Sequence, residues 1–383
     1  MVLPHVQIKE LRRTYGFEEV AIVPGDVTTN PELSVTNFSI GPFQFTIPIM
    51  GSAMDAIVDP AFAGLMAKAG GLGVMNLEGV YGRYEDPADA LKEVGDAPRE
   101  NVTEILQKIY SAPLQDRLVA QRVQEIKATG AVVAVSVTPQ NGKRLSPVAV
   151  EAGADIIVVQ STVTTARHIS NSYVGLRFVD LVEQLKVPVL VGNTVSPTAT
   201  LELMEQGIDG VLVGVGPGAA CTTRDVTGMG VPQVSATLDC ASGRDEYFRR
   251  SGRYVPIITD GGIRTGGDLC KSIAAGADAV MIGTPFAQTF EAPGGGFNWG
   301  MASPHPALPR GTRINVGANA SLDQVLFGPS RRTDGTHNLI GALKVSMSMV
   351  GATTIEEFHE KAELVVAPTI ATEGKIYQRA GQI

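Results

Sequence analysis

Residues 256–284 read PIITDGGIRTGGDLCKSIAAGADAVMIGT. An apolar run at 256–262 closes on small and polar residues, a helical pattern follows at 265–275, and Gly276-Ala277-Asp278 then opens a second apolar run at 279–284. A glycine just past a helix takes the left-handed conformation that ends it. Near-continuous Val and Ile runs are what parallel strands buried on both faces look like. The stretch therefore reads as strand, helix, strand.

Working outward, the same unit recurs toward the N-terminus. Comparable runs stand at 47–53 (IPIMGSA), 71–76 (GLGVMN), 132–137 (VVAVSV), 155–161 (DIIVVQS), 188–193 (PVLVGN) and 210–216 (GVLVGVG), which with the two above make eight. Helical patterns at 60–69, 116–129, 178–185 and 198–206 lie between them, and the Gly-Ala/Ile-Asp turn returns at Gly153 and Gly207. Eight such repeats predict a (β/α)8 barrel made of one domain, residues 1–383, and not a doubly wound sheet with a second domain. At roughly 150 residues per domain a chain of 383 would suggest more than two, but barrels routinely run long. Two segments exceed the bare repeat. Residues 80–130 are mostly polar, amphipathic helix, too short to hide a second globular domain. Residues 292–340 begin APGGGFNWGMASPHPALPRG, carry the only Trp, and follow strand eight, where a long Gly- and Pro-rich loop is expected to be a functional flap. Residues 342–366 return to helical periodicity and are expected to supply the closing helix.

Composition excludes several classes. Charged residues are 18 % and aromatics 5 %, with Gly 43, which fits neither disorder nor a collagen-like repeat. The net charge of −8, with 31 basic residues spread thinly, argues against a non-specific nucleic-acid surface. Cys221, Cys240 and Cys270 form no CxxC pair, so neither a disulfide framework nor a zinc site is expected, and a reducing compartment is. Without a signal-peptide core or a long apolar run, the expected location is the cytoplasm.

In such barrels the site lies at the C-terminal ends of the strands, with phosphate held by the loops after strands seven and eight. Thr259-Asp260-Gly261-Gly262-Ile263-Arg264 and Gly283-Thr284 suit this, because small residues let an oxyanion approach the main chain. Asp260 beside a phosphate is repulsive, so ribose hydroxyls are its natural partner, a loop-fixing carboxylate the alternative. After strand six, VGVGPGAACTTRDVTGMGVPQ (213–233) delivers Cys221 on a glycine loop, followed by two hydroxyls and Arg224. Cys221 is a candidate nucleophile or an inert thiol; Cys240 and Cys270, within helical patterns, are expected in the core. The Gly214-x-Gly216-x-x-Ala219 spacing formally matches a dinucleotide fingerprint, but it follows a sixth strand and is set aside. Met54 could floor a ring-shaped ligand. Asn193 and Gln160-Ser161-Thr162 end strands five and four. No His sits at a strand end, so a His-centred triad or metal site has little support.

These residues resemble the IMP dehydrogenase and GMP reductase family, nearly end to end: YGFEEV at Tyr15, GSAMD at Gly51, GGLGV at Gly70, GPGAACTTR at Gly216, GVPQ at Gly230, DGGIR at Asp260, APGGG at Ala292 and GALKVSM at Gly341. DGGIR is shared with flavin-binding barrels; the cysteine loop is the specific motif. The resemblance implies that Cys221 attacks C2 of a purine nucleotide, that hydride leaves to NAD+, and that water releases XMP. It implies Asp260 on the ribose, Ser52, Gly262, Gly283 and Thr284 on the phosphate, Gly261 among the substrate-binding residues, and Met54, Gly300 and Met301 at the base. Thr223 should stand beside the reacting carbon, Gln160, Ser161 and Asn193 on the cofactor side, and the carbonyls of Gly216, Gly218 and Cys221 around a monovalent cation such as K+. A homotetramer or octamer is implied as well. Against the family pattern, the regulatory CBS pair is absent, Ala219 replaces a serine and Gln160 an aspartate. The flap's water-activating Arg-Tyr pair has no counterpart, leaving Arg310 and Arg313 as the available bases. The reductase's flap Glu is also missing, Arg310 or Thr312 standing near its place. The implied activity is an NAD-dependent IMP dehydrogenase of guanine nucleotide synthesis. The alternatives are an NADPH-dependent GMP reductase, an FMN-dependent barrel and a non-catalytic nucleotide binder.

Overall fold

The computed structural model describes residues 11–169, 175–301 and 312–367. Each of the eight apolar runs forms a strand: Ile49–Gly51, Leu72–Asn76, Ala134–Val137, Ile156–Gln160, Val189–Thr194, Gly210–Val213, Ile257–Asp260 and Ala279–Ile282, numbered one to eight. They close into a barrel in the order seven, eight, one, two, three, four, five, six, every pairing parallel. The (β/α)8 architecture read from the repeat is the one observed.

The alternation of side chains across each strand explains why the runs are apolar on both faces. Met50, Val74, Ala134, Val158, Leu190, Leu212, Ile258 and Met281 fill the interior. Ile49, Met75, Val135, Val159, Val191, Val213, Ile257 and Ile282 pack outward against the helices. Carried one step further toward the C-terminal mouth, the inward set reaches polar residues, Gln160 on strand four and Asp260 on strand seven. The opposite end is closed by a hairpin, Phe38–Ile40 paired with Phe43–Phe45. Its Phe38, Ile40 and Phe45 join the same interior cluster.

The polar segment after strand two folds as three helices, Pro87–Asp96, Val102–Ser111 and Asp116–Ala128. Buried Arg122 ties the last of them to the segment that precedes the first, donating to the carbonyls of Tyr81, Tyr84 and Glu85 and pairing with Glu125 at 2.7 Å. The C-terminal expectation needs a correction. Helices Leu339–Met349 and Ile355–Lys361 are followed by a strand, Glu363–Val366, antiparallel to Val20–Val23. Helical periodicity fails there because the partner that makes ELVV a strand lies at the other end of the chain. Cys240 and Cys270 sit in helices and are buried, which pushes each thiol up to about 12. Among the described residues no helix is long and apolar enough to cross a membrane.

Candidate active site

Strand six ends in a loop that carries Cys221, and glycines decide its course. Gly214 (φ +146°) and Gly216 (φ +73°) lie in backbone regions that L side chains rarely adopt, and the Cys221 N–H closes a turn onto the Gly218 carbonyl at 3.1 Å. A Cβ at Gly216 would lie 2.7 Å from Cγ of Arg224, and one at Gly230 would lie 2.5 Å from its Nε. Arg224 is thus clasped between two glycines, with Nη2 donating to the Val231 carbonyl at 3.0 Å. In sequence it simply follows the thiol and two hydroxyls; in the structure it packs against both ends of the loop. Cys221 is half-buried, and its Sγ lies 3.2 Å from Oγ1 of buried Thr223, at the start of the turn of helix Thr223–Thr227.

The strand-seven loop lies directly against this one. Gly261 and Gly262 have φ +86° and +79°, and a Cβ on either would come within 3.2 and 3.1 Å of Pro217 side-chain atoms. Only glycine meets both conditions. Ser52, Met54 and Gly283 also converge, since a Cβ on Gly283 would lie 3.5 Å from Met54 Sδ and 3.6 Å from Ser52 Oγ. Thr284 begins the short helix Thr284–Ala287 just beyond. The expected phosphate-loop residues therefore form two close clusters, one against the cysteine loop and one against strand one.

Asp260 is held by two amides. Gln160 Nε2 and Asn193 Nδ2 donate to its Oδ2 at 2.7 and 2.8 Å, and the two amides join at 3.1 Å. Burial outweighs these donors and pushes the carboxyl up to about 6. Simple alternation on strand five would point Asn193 outward. The register shift between Gly192 and Thr194 turns its amide to Asp260, as a bulge does when it re-aims a side chain. Gln160 and Asn193, expected to face a cofactor, thus spend amide donors on Asp260. Ser161 Oγ stays within its loop, 3.0 Å from the Val163 carbonyl and 2.9 Å from Thr164 Oγ1.

The flap opens with Phe297–Trp299, antiparallel to Arg313–Asn315. Of the two arginines considered as bases, Arg310 lies outside the described residues. Arg313 donates to the carbonyls of Val94 and Gly95, the latter at 2.9 Å, and stands 4.8 Å over the Phe297 ring. It is a guanidinium employed as a clamp on a helix end. Gly300 and Met301 follow Trp299 at the flap root, where Trp299 Nε1 donates to Tyr110 at 2.8 Å. Sequence reasoning passed over Tyr110. The signal available was the lone Trp, whose buried indole N–H requires an acceptor. Among the described residues no group of three or more His, Cys, Asp or Glu could hold a metal ion.

The IMP dehydrogenase/GMP reductase domain model matches residues 14–302. The chain belongs to that family. An uncharacterized oxidoreductase of Mycobacterium leprae (strain TN) is 40 % identical over 365 residues, 93 % of this chain and 97 % of the relative. The inosine-5'-monophosphate dehydrogenase of Cryptosporidium parvum is 28 % identical over 396 residues, 94 % of each. The crystal structure of an IMP dehydrogenase/GMP reductase-like protein from Corynebacterium glutamicum superposes with a TM-score of 0.89 at 36 % identity, covering 94 % of this chain and 97 % of that one. Family membership thus agrees with the resemblance carried by the cysteine loop.

Proposed function

We propose that this family member is an NAD-dependent IMP dehydrogenase that oxidises IMP to XMP through a covalent Cys221–nucleotide intermediate. The observation that supports it most is the contact between the loop bearing Cys221 and the glycine turn Gly261-Gly262, with Asp260 at the root of that turn. A nucleotide whose phosphate rests on Ser52, Gly262, Gly283 and Thr284, and whose ribose hydroxyls donate to Asp260, carries its base toward Cys221. Met54, Gly300 and Met301 then bound the base. The Cys221 thiol gives its proton to solvent and the thiolate adds to C2, while the Thr223 hydroxyl, 3.2 Å from the sulfur, orients it. Bound NAD+ would supply the hydride acceptor. Ser161 and half-exposed Val163, at the end of strand four, offer a polar and an apolar contact to such a group. Water then attacks C2 and the sulfur leaves as thiolate.

The same reading gives the carbonyls of Gly216, Gly218 and Cys221 as ligands to a monovalent cation such as K+. Gly218 uses one lone pair on the Cys221 N–H, at 3.1 Å, and keeps the other. A cation there would hold the loop in its turned form. The same family chemistry run without a hydrolytic step, reduction of GMP to IMP and ammonia with NADPH, is the second reading. It is favoured by the clamping role of Arg313, which leaves the described flap without a water-activating base.

Incubation with IMP and NAD+, and separately with GMP and NADPH, following nicotinamide absorbance, decides between the two. No change with the first pair overturns the proposal, whereas a yellow purified protein would point to bound flavin instead. Cys221→Ser is expected to retain IMP binding and lose turnover; tight IMP binding by the wild type without XMP under any cation would mark a binder. Light scattering tests the homotetramer or octamer that this reading carries with it.

A further inference from the structure

Three parts of the chain that lie far apart in sequence meet at one phenol. Tyr110, on helix Val102–Ser111, donates its proton to Oδ2 of Asp55 at 2.7 Å and accepts the indole N–H of Trp299 at 2.8 Å. Asp55, Trp299 and Tyr110 are 0, 1 and 6 % exposed. A phenol has a single proton, and a carboxylate is a far stronger acceptor than the thioether of Met301, which lies 3.5 Å from the same oxygen. The chain of donors therefore runs one way, from Trp299 through Tyr110 to Asp55. Asp55 is its fixed end, because Oδ2 also accepts the Val80 N–H at 2.7 Å and its carbonyl accepts the Tyr81 hydroxyl at 3.0 Å.

The neighbours give this chain its meaning. Asp55 directly follows Met54, and Trp299 stands two residues before Met301. We propose that Tyr110 is a positioning residue: it holds the root of the flap to the strand-one loop, so that Met54 and Met301 bound the purine from two sides. This rests on the nucleotide reading above. It makes the helical segment after strand two part of the binding machinery, although no residue of that segment need touch the ligand.

Trp299 is the only Trp, so its emission reports the flap root alone. Tyr110→Phe removes one oxygen and keeps the ring. In the nucleotide-free protein its Trp emission is expected to shift to the red, with acrylamide quenching about twofold greater. IMP affinity by calorimetry should fall about tenfold, and KM for IMP should rise more than kcat falls. Trp299→Phe should weaken IMP by a similar factor, and the double variant should be no weaker than either single, because both cut one connection. Unchanged emission and quenching in Tyr110→Phe, or unchanged IMP affinity despite altered emission, overturns the proposal, as do independent losses in the double variant. A wild-type protein that binds no IMP overturns the proposed function instead, and the emission measurement still decides whether Tyr110 holds the flap root.

Discussion

Asp260 shows what a single carboxyl gives up for a ligand. Its acid form persists to about pH 6 because burial penalises the charge more than the amides of Asn193 and Gln160 relieve it. In the unfolded chain the same group ionises near pH 4. The folded state is therefore unpenalised below about pH 4 and bears the full cost of ionisation above about pH 6, a loss of about 3 kcal/mol. Asp260→Asn should match the wild type in thermal stability near pH 4 and exceed it at pH 8, while its IMP affinity falls far below the wild type's at pH 8 and differs little near pH 4, as paired melting curves and titrations will show. Equal melting temperatures at pH 8 would refute the cost. In the wild type, IMP binding should weaken as pH falls through about 6, where the carboxylate proposed to accept the ribose hydroxyls is lost. A second residue-scale test lies at Gly262, where alanine must adopt φ near +79° and press on Pro217. Gly262→Ala should cost about 1–2 kcal/mol in chemical denaturation and weaken phosphate-bearing ligands more than bare nucleosides.

At the scale of elements, the strands were legible because burial on both faces leaves a run of Val and Ile with no competing period. The mouth residues were legible because those runs stop on small or polar side chains. Two features escaped for physical reasons. The inward turn of Asn193 depends on an irregularity between strands five and six, which no one-dimensional period encodes. The role of Tyr110 depends on a helix and a flap meeting across a gap of 189 residues to Trp299. The flap hairpin supplies a prediction of its own. With Arg313 gripping Val94 and Gly95 and covering Phe297, Arg313→Ala should loosen the hairpin and cost about 1–2 kcal/mol. Its kcat should fall less than tenfold. A thousandfold loss of kcat with unchanged stability would instead make Arg313 the water-activating group.

For the whole molecule, the two ends of the described chain act together on the site. Strand Glu363–Val366 holds Val20–Val23, and the segment just before that ribbon places Phe17, whose ring carbon would lie 3.7 Å from a Cβ on Gly262. Lys271 Nζ donates to the Phe17 carbonyl at 2.7 Å, and Arg264 pairs with Glu18 at 2.9 Å, so the tie reaches the strand-seven loop and its helix. Removing residues 363–383 should lower the melting temperature and, unlike an ordinary terminal deletion, weaken IMP binding severalfold. A truncated protein with full IMP affinity would show the clasp to be only mechanical.

The aromatic hairpin under the barrel has a kinetic side. With Phe38, Ile40 and Phe45 stoppering one end and layers of Leu, Ile and Met filling the bore, the described structure offers no passage along the barrel axis. In the proposed reaction, nucleotide, redox partner and water would then share a single doorway, the C-terminal mouth. Traffic through one doorway is sequential: whatever enters first stands between the interior and whatever follows, and the last to arrive must be the first to go. An order of binding and release is in this way built into the architecture before any side chain at the mouth selects a ligand.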